Sequence, residues 1–190
     1  TLVIESPTLV YDGSSLAYEG FNYNPGAVAN QNGGFGWGGA WTNVTGNAMY
    51  FDIGNLLGYS NAPANYDAHS QGNHLCGYGG SRVGRLLDCS PSGFFGQNGY
   101  LNANGDIGAA GKTVYVSFLE QSAMPASFYE FEFHRGDYGD PGRIAGVGND
   151  TSDNDIHFRM PSGNFLDLGP GDGGVNFYVV RIDFHGGNDT

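Results

Sequence analysis

Two runs of alternating side chains decide the fold: Thr113-Val-Tyr-Val-Ser-Phe-Leu119 and Ser127-Phe-Tyr-Glu-Phe-Glu-Phe-His-Arg135. Each alternates with a period of two residues, which is typical of a half-buried β-strand. A third run with the same period extends from Val175 to Phe184. The connection between the first two runs is short and contains Pro125, which cannot donate to a strand ladder, so it favours antiparallel neighbours. We therefore expect these three strands at the centre of one antiparallel sheet.

The composition indicates a single all-β domain. The chain has 190 residues, of which 34 are glycine and 39% are hydrophobic, and this is too apolar for a disordered chain. The apolar spacing of a helix is almost absent. Further strands are predicted at residues 1–6, 16–23, 47–53, 82–87, 143–147, 156–160 and 164–168, the last two as a hairpin. Strands separated by glycine turns in this way predict an antiparallel two-sheet β-sandwich, or jelly roll, with a long irregular loop at residues 55–80.

The charge balance disfavours some classes of partner. Seven basic residues against nineteen acidic residues give a formal charge of −12, and such a field repels nucleic acid and anionic lipid surfaces. No apolar run approaches the roughly 20 residues that a membrane-spanning helix requires. The chain begins at Thr1 rather than at methionine, so a processed, soluble chain is expected. Sequons beginning at Asn43, Asn149 and Asn188 are compatible with an extracellular address.

The chain has two cysteines, Cys76 and Cys89. Two cysteines in a glycine-rich chain of extracellular character are expected to form a disulfide, which would close a short loop and stabilise the fold by roughly 3 kcal/mol. The alternative is a zinc site that also uses His69 and His74. That spacing matches no standard zinc finger, so the disulfide is the favoured prediction.

Two tryptophans, Trp37 and Trp41, lie four residues apart in a glycine-rich segment. Glycines allow the backbone to approach a flat ring closely, so the favoured interpretation is a tight corner at which aromatic side chains cover one end of the core. The functional alternative is a ligand-binding platform on which sugar rings stack. Tyr66 and Tyr78, in the long loop, are further candidates for such a ligand-binding surface.

Four stretches resemble a known group of proteins: Glu19 to Tyr23, Asn30 to Trp41, Val114 to Leu119 and Val179 to Thr190. They are similar to segments of secreted bacterial proteins with concanavalin A-like, laminin G-like sandwiches. The resemblance implies a jelly-roll fold and an extracellular, cell-surface or periplasmic location. The closing segment resembles the strand and turn before a last hairpin arm, so residues 1–190 are expected to be one domain that lacks this arm.

The same resemblance identifies weak catalytic candidates. Glycanases of this fold carry acids on one face of a strand, in a pattern such as E-x-D-x-E. Here Glu130 matches the first acid, Glu132 stands in the place of the aspartate, and His134 replaces the acid/base carboxylate. Retaining hydrolysis requires two carboxyl groups about 5 to 5.5 Å apart, one of which donates a proton. We therefore expect no catalysis, and we expect these three side chains to lie on the solvent face of their strand.

An acidic loop is a candidate calcium site. Asp150, Asp153 and Asp155 occur within six positions, and Ca²⁺ takes six to eight oxygen ligands of this kind. Further ligands could come from three aspartates in neighbouring turns, Asp137, Asp140 and Asp172. The spacing is not that of an EF-hand, and the alternative is a solvated acidic turn without a cation.

Three functions are compatible with these observations. The leading interpretation is a non-catalytic extracellular sandwich that binds a carbohydrate or a partner protein in surface attachment or matrix assembly. The second is a structural or accessory subunit of a larger extracytoplasmic assembly, held through an exposed strand edge. The third is a divergent glycoside hydrolase.

Overall fold

The fold was taken from a computed structural model, which describes residues 15–45, 50–52, 57–61, 66–69, 73–77, 80–122, 128–136, 142–149, 153–160 and 163–186. Within these ranges the chain forms antiparallel β-strands and one helix of four residues. The elements are β1 Gly26–Ala27, β2 Thr42–Thr45, β3 Tyr50–Asp52, β4 Gly58–Asn61, β5 Tyr66–His69, β6 His74–Cys76, β7 Arg82–Gly84, α1 Phe94–Gln97, β8 Thr113–Gln121, β9 Tyr129–His134, β10 Arg143–Asn149, β11 Asp155–Arg159, β12 Phe165–Pro170 and β13 Val175–Asp183. The predicted all-β class is confirmed.

The longest ladder joins β8 to β13. The two strands are antiparallel and pair over nine residues, from Thr113 opposite Asp183 to Gln121 opposite Val175. Phe118 and Tyr178 are directly opposite one another, and their rings lie 5.3 Å apart. Tyr115 and Val179 point to the other face and are exposed. The period of two that the sequence shows is therefore the period of this ladder.

The second large sheet has four antiparallel strands in the order β12-β11-β10-β9. The hairpin predicted around residues 161–163 is confirmed, since Arg159 pairs with Phe165 and Phe158 with Leu166. The apolar side of this sheet supplies most of the fully buried core. Its buried core residues are Ala145, Val147 and Ile156.

The three strands predicted for one sheet lie in two sheets. Of the described strands, β8 pairs only with β13, whereas β9 pairs only with β10. The rings of Phe118 on β8 and Phe131 on β9 are instead stacked 4.2 Å apart. The prediction that β8 and β9 are hydrogen-bonded neighbours is therefore wrong, because the apolar face of β9 packs on the face of β8 rather than on its edge.

Three small sheets form the first half of the described chain, in the strand orders β1-β3-β6, β2-β7 and β4-β5. Strands β4, β5 and β6 lie inside residues 55–80, so the prediction of an irregular loop there is wrong. The strand predicted at residues 16–23 is reduced to a single bridge between Tyr18 and Phe35. The prediction for residues 1–6, like residues 47–49 of the strand predicted at 47–53, lies outside the described residues.

The predicted disulfide is not formed. Both cysteines belong to the described residues, and no disulfide joins them. Cys76 ends β6 and pairs with Tyr50, whereas Cys89 follows β7 and lies near Ile107 and Asp106. Proximity in sequence was a poor guide here, because β6 and β7 belong to different sheets.

Candidate functional site

The acidic face of β9 carries Glu130, Glu132 and His134. The Glu130 side chain is only 1% exposed and the Glu132 and His134 side chains only 10%. The prediction that these side chains lie on a solvent face is therefore wrong. The alternation of side chains correctly predicted that these three residues share one face of β9, but it did not predict that this face is buried.

Arginines from three other strands make this burial possible. Arg143 Nη1 on β10 lies 3.2 Å from Glu130 Oε2 and 3.3 Å from Glu132 Oε1. Arg159 Nη1 on β11 lies 3.3 Å from Glu130 Oε1, and Arg82 Nε on β7 lies 3.6 Å from Glu132 Oε2. Charges removed from water are tolerated when they are paired and hydrogen-bonded in this way. The cluster links β7 to the four-stranded sheet.

Glycines on β10 leave room for the carboxyl groups. Gly146 pairs with Glu132, and Gly148 pairs with Glu130. A Cβ atom at Gly146 would lie 3.3 Å from the Glu130 carboxyl carbon. Gly148 has a φ of 151°, a conformation that residues with a Cβ atom rarely adopt. Gly146 is therefore explained by the Glu130 carboxyl group, and Gly148 by its backbone conformation and the close approach of the Tyr129 carbonyl.

The electrostatics of the cluster favour a structural role for Glu130. Burial raises the pKa of this carboxyl, and the adjacent Glu132 raises it further, while Arg159 and Arg143 act in the opposite direction. A raised pKa is what a general acid needs. However, a side chain that is almost fully buried and held by two arginines offers little access to a substrate.

The tryptophan corner is organised around a second buried ion pair. Arg85 Nη1 lies 2.5 Å from Glu19 Oε2, and the Arg85 side chain is 2% exposed. The guanidinium carbon lies 5.0 Å from the centre of the Trp37 ring and 5.9 Å from that of Trp41. Trp41 donates its indole N–H to Glu19 Oε2 at 3.0 Å, and Trp37 donates to the Tyr18 carbonyl at 3.0 Å. Both indole donors are therefore used inside the protein.

Tyr23 connects this corner to the surface. Its hydroxyl donates to Glu19 Oε2 at 2.8 Å and accepts from the Gly33 N–H at 2.7 Å. Burial, together with the hydrogen bond to Glu19, raises the pKa of Tyr23. The Asn73 amide donates to the Tyr23 carbonyl. These bonds fix both the ring and the backbone of Tyr23.

Two open depressions adjoin Tyr23. The first, of about 350 Å³, is lined by Tyr18, Glu19 and neighbouring residues. The second has a volume of about 460 Å³. Its described lining consists of Asn22, Tyr23, Asn24, Pro25, Gln31 and Asn73, and none of these six residues is charged. Asn22 and Tyr23 line both depressions. We call the second the amide depression, because four of its six lining residues are asparagine or glutamine.

The other residues proposed from sequence belong to other elements or lie outside the described residues. Tyr66 is in β5, and Tyr78 lies outside the described residues, as do Asp150, Asp137 and Asp140. Asp153 Oδ1 accepts the Asp155 N–H at 2.9 Å. In the part of the chain that the structure describes, no three acidic, histidine or cysteine groups are placed to hold a metal ion. Because Asp150 is not covered, the calcium site remains a prediction.

Sequence reasoning missed the residues that organise the corner, Glu19 and Arg85. They are 66 positions apart, and no local pattern links them. Their only sequence signal is that each stands close to a distinctive segment, Glu19 before the glycine-tryptophan run and Arg85 after β7.

Comparisons with known proteins add no assignment. The chain matches no protein-family profile, no curated protein and no solved structure. Among the helices of the described residues, none is long and apolar enough to cross a membrane.

Proposed function

We propose that this chain is a non-catalytic extracellular domain that binds an uncharged carbohydrate at the amide depression. The proposal includes the concanavalin A-like jelly-roll fold that the sequence resemblance implies. The observation that carries it is the chemistry of the lining. Amide side chains and a tyrosine ring line an open concavity of about 460 Å³, and no lining residue that the structure describes is charged.

The lining matches what a sugar presents. Each amide offers two N–H donors and one carbonyl acceptor, and adjacent sugar hydroxyls both donate and accept. The ring of Tyr23 supplies an apolar surface beside these groups, and its hydroxyl is already bonded to Glu19 and Gly33. A volume of this size is within the range of about 300 to 1,000 Å³ that small-molecule sites occupy.

The surroundings support a site that is formed before the ligand arrives. The Arg85–Glu19 pair, the two tryptophans and the Gly33 N–H hold Tyr23 in place. A lining fixed in this way loses little conformational entropy on binding. In this proposal Trp37 and Trp41 support the depression from behind, and neither of them lines it.

The chemistry at Glu130 supports the non-catalytic part of the proposal. Its carboxyl is almost fully buried and contacts both Arg143 and Arg159. A glycoside hydrolase needs a carboxyl that meets the glycosidic oxygen. Among the described residues that line the amide depression, none carries a carboxyl group.

A glycan array tests the proposal, with the purified chain applied in the presence and in the absence of a chelator. We expect binding to uncharged glycans in preference to acidic ones, and we expect Asn22→Ala combined with Asn24→Ala to abolish it. Asn104→Ala is the matched control, because it removes an exposed amide in a distant loop and should leave binding unchanged. Binding that survives the double substitution, or a preference for acidic glycans, would contradict the proposal. Glycan hydrolysis that Glu130→Gln abolishes would contradict its non-catalytic part.

A further inference from the structure

The outer strand of the four-stranded sheet, β12, presents an unusual edge. In the described part of the chain it pairs with β11 alone. Its regular ladder runs from Phe165 to Asp167, and a register shift follows, where the Gly169 N–H bonds to Asp167 Oδ1 at 2.7 Å. An edge strand of this kind leaves one row of backbone N–H and C=O groups for another chain.

Large apolar side chains are concentrated on this edge. Phe165 is 52% exposed, Leu166 58% and Leu168 50%. Phe165 and Leu166 are consecutive, so they project from opposite faces of the strand, and the Phe165 ring lies 4.5 Å from that of His157. Three exposed large apolar residues within four positions of an edge strand therefore indicate an interaction along the strand edge rather than one flat apolar patch. The edge also contains no lysine or arginine, which commonly protect such strands.

The charged side chains around β12 are mostly acidic, and Arg159 on the neighbouring strand β11 contacts Glu130. Asp155 lies opposite Pro170 at the end of the strand, and the Gly171 N–H bonds to the Asn154 carbonyl beside it. The exposed acids of this region are Asp153, Asp167 and Asp172.

The basic side chains of this chain contact groups outside the β12 edge. Each of its six arginines, all of them described, lies within ion-pair distance of a carboxylate outside this edge, and these arginines are Arg82, Arg85, Arg135, Arg143, Arg159 and Arg181. The single lysine, Lys112, donates to the Asn98 carbonyl at 3.0 Å and lies over the Tyr100 ring. The electrostatic potential at the β12 edge is therefore negative, like the net charge of the whole chain, which is −12.

We propose that the β12 edge binds an extended segment of a partner protein in which apolar and basic residues alternate. The segment adds as a strand to β12. Its apolar side chains cover Leu166, and its lysines or arginines, which project from the opposite face, meet Asp167. Main-chain bonds supply affinity in this mode of binding, and side chains supply specificity. A second copy of the chain fits less well, because it brings the same aspartates and the same charge of −12 to the interface.

The test uses a fluorescent synthetic peptide of alternating valine and lysine, with binding followed by anisotropy. A peptide of alternating valine and glutamate, and a valine-lysine peptide with methylated backbone nitrogens, are the controls for charge and for strand addition. We expect binding of the first peptide alone, weakened by salt. Leu166→Gln is expected to weaken it about tenfold through lost apolar contact. Val179→Gln, at an equally exposed apolar position on β13, should leave it unchanged.

Asp167→Asn separates charge from folding. The asparagine oxygen still accepts the Gly169 N–H, so the local turn is preserved, while the negative charge is lost. This variant should bind the valine-lysine peptide more weakly and with less dependence on salt. The proposal is overturned if no peptide binds, if the glutamate or methylated peptide binds as well as the first, or if Leu166→Gln and Val179→Gln act alike. It is equally overturned if sedimentation shows a homodimer that Leu166→Gln dissociates, since the occupant would then be a second copy.

Discussion

Arg85 Nη1 lies 2.5 Å from Glu19 Oε2, and the guanidinium lies beside the rings of both Trp37 and Trp41. The other two nitrogens of Arg85 also donate, Nε to the Gly39 carbonyl at 2.8 Å and Nη2 to Asn32 Oδ1 at 2.7 Å. A buried ion pair in which every guanidinium nitrogen donates holds one arrangement of the surrounding loops. The first prediction concerns the removal of one partner.

Arg85→Ala should destabilise the fold by about 3 to 5 kcal/mol, because it leaves the Glu19 carboxylate buried without its counter-ion. Urea denaturation measures this free energy of unfolding. Arg135→Ala is the matched control, since Arg135 forms an exposed ion pair with Asp106 at 2.8 Å, and exposed pairs contribute only about 0 to 1 kcal/mol. Equal effects of the two substitutions would contradict the structural role assigned to Arg85.

A buried acid should make the stability depend on pH in an unusual direction. Burial, and then the charge of Glu130, raises the pKa of Glu120 from its ordinary value of 4.5 to about 8. Glu120 Oε2 has no hydrogen-bond partner among the described residues. Between these two pH values the folded chain retains a proton that the unfolded chain has lost. The free energy of unfolding should therefore be highest below pH 4.5 as far as Glu120 is concerned, and should fall by up to about 4 kcal/mol as the pH rises to 8.

Glu120→Gln tests this dependence, because glutamine cannot ionise. The variant should be more stable than the parent at pH 8, and most of the loss of stability between pH 5 and pH 8 should disappear. Gln121→Glu is the control, since it places a carboxyl at the neighbouring exposed position and should add no dependence in this range. Urea denaturation across the pH series is the measurement. A parent chain whose stability is constant from pH 5 to pH 8 would show that Glu120 does not titrate as stated.

The stacking of Phe118 on Phe131 should carry much of the packing between the two large sheets. Phe118→Ala is expected to cost about 2 kcal/mol, less than the removal of a fully buried aromatic side chain, because Phe118 is half-buried and Phe131 is 38% exposed. Tyr115→Ala, three positions earlier on the opposite and exposed face of β8, should change stability by about 0.5 kcal/mol or less. Thermal denaturation compares the two. Similar losses would indicate that the apolar face of β8 does not pack on β9.

These effects show which parts of the fold the sequence reveals. The ladder between β8 and β13 was predictable, because the period of two is a property of each strand alone. The sheet to which β9 belongs could not be predicted in this way. A strand with the same alternation of side chains can either hydrogen-bond to the edge of β8 or pack its apolar face on β8. The environment of Glu130 was hidden for a related reason, since burial depends on Arg143 and Arg159, which reach it from two other strands.

The candidate site was harder to predict from the sequence than the fold. The glycine-tryptophan run marked the right corner, but the group at its centre is Arg85, which approaches Glu19 from 66 positions away. A pair that is formed only by the tertiary fold leaves no periodic signal. The cysteines illustrate the opposite error, because Cys76 and Cys89 are close in sequence and yet do not form a disulfide.

The thiol state of the cysteines can be tested by alkylation. Cys89 is exposed, so iodoacetamide should modify it in the native chain without a reductant. Partial burial raises the pKa of the Cys89 thiol, so the rate should increase with pH as the thiolate forms. Mass spectrometry of the labelled chain identifies the modified residue. If labelling required a reductant, the two cysteines would be joined by the disulfide that the sequence favours.

The glycines of β10 provide the last test, because they distinguish lack of space from backbone strain. Gly148→Ala should destabilise the fold by several kcal/mol, since Gly148 has a φ of 151° and an added Cβ would clash with the Tyr129 carbonyl. Gly146→Ala should cost less, on the order of 1 kcal/mol, because the added Cβ meets the Glu130 carboxyl at 3.3 Å and that side chain can shift slightly. Adding Glu130→Gln to Gly146→Ala should show coupling, whereas adding it to Gly148→Ala should be nearly additive. Equal costs for the two glycine substitutions would contradict the strand register that pairs Gly148 with Glu130.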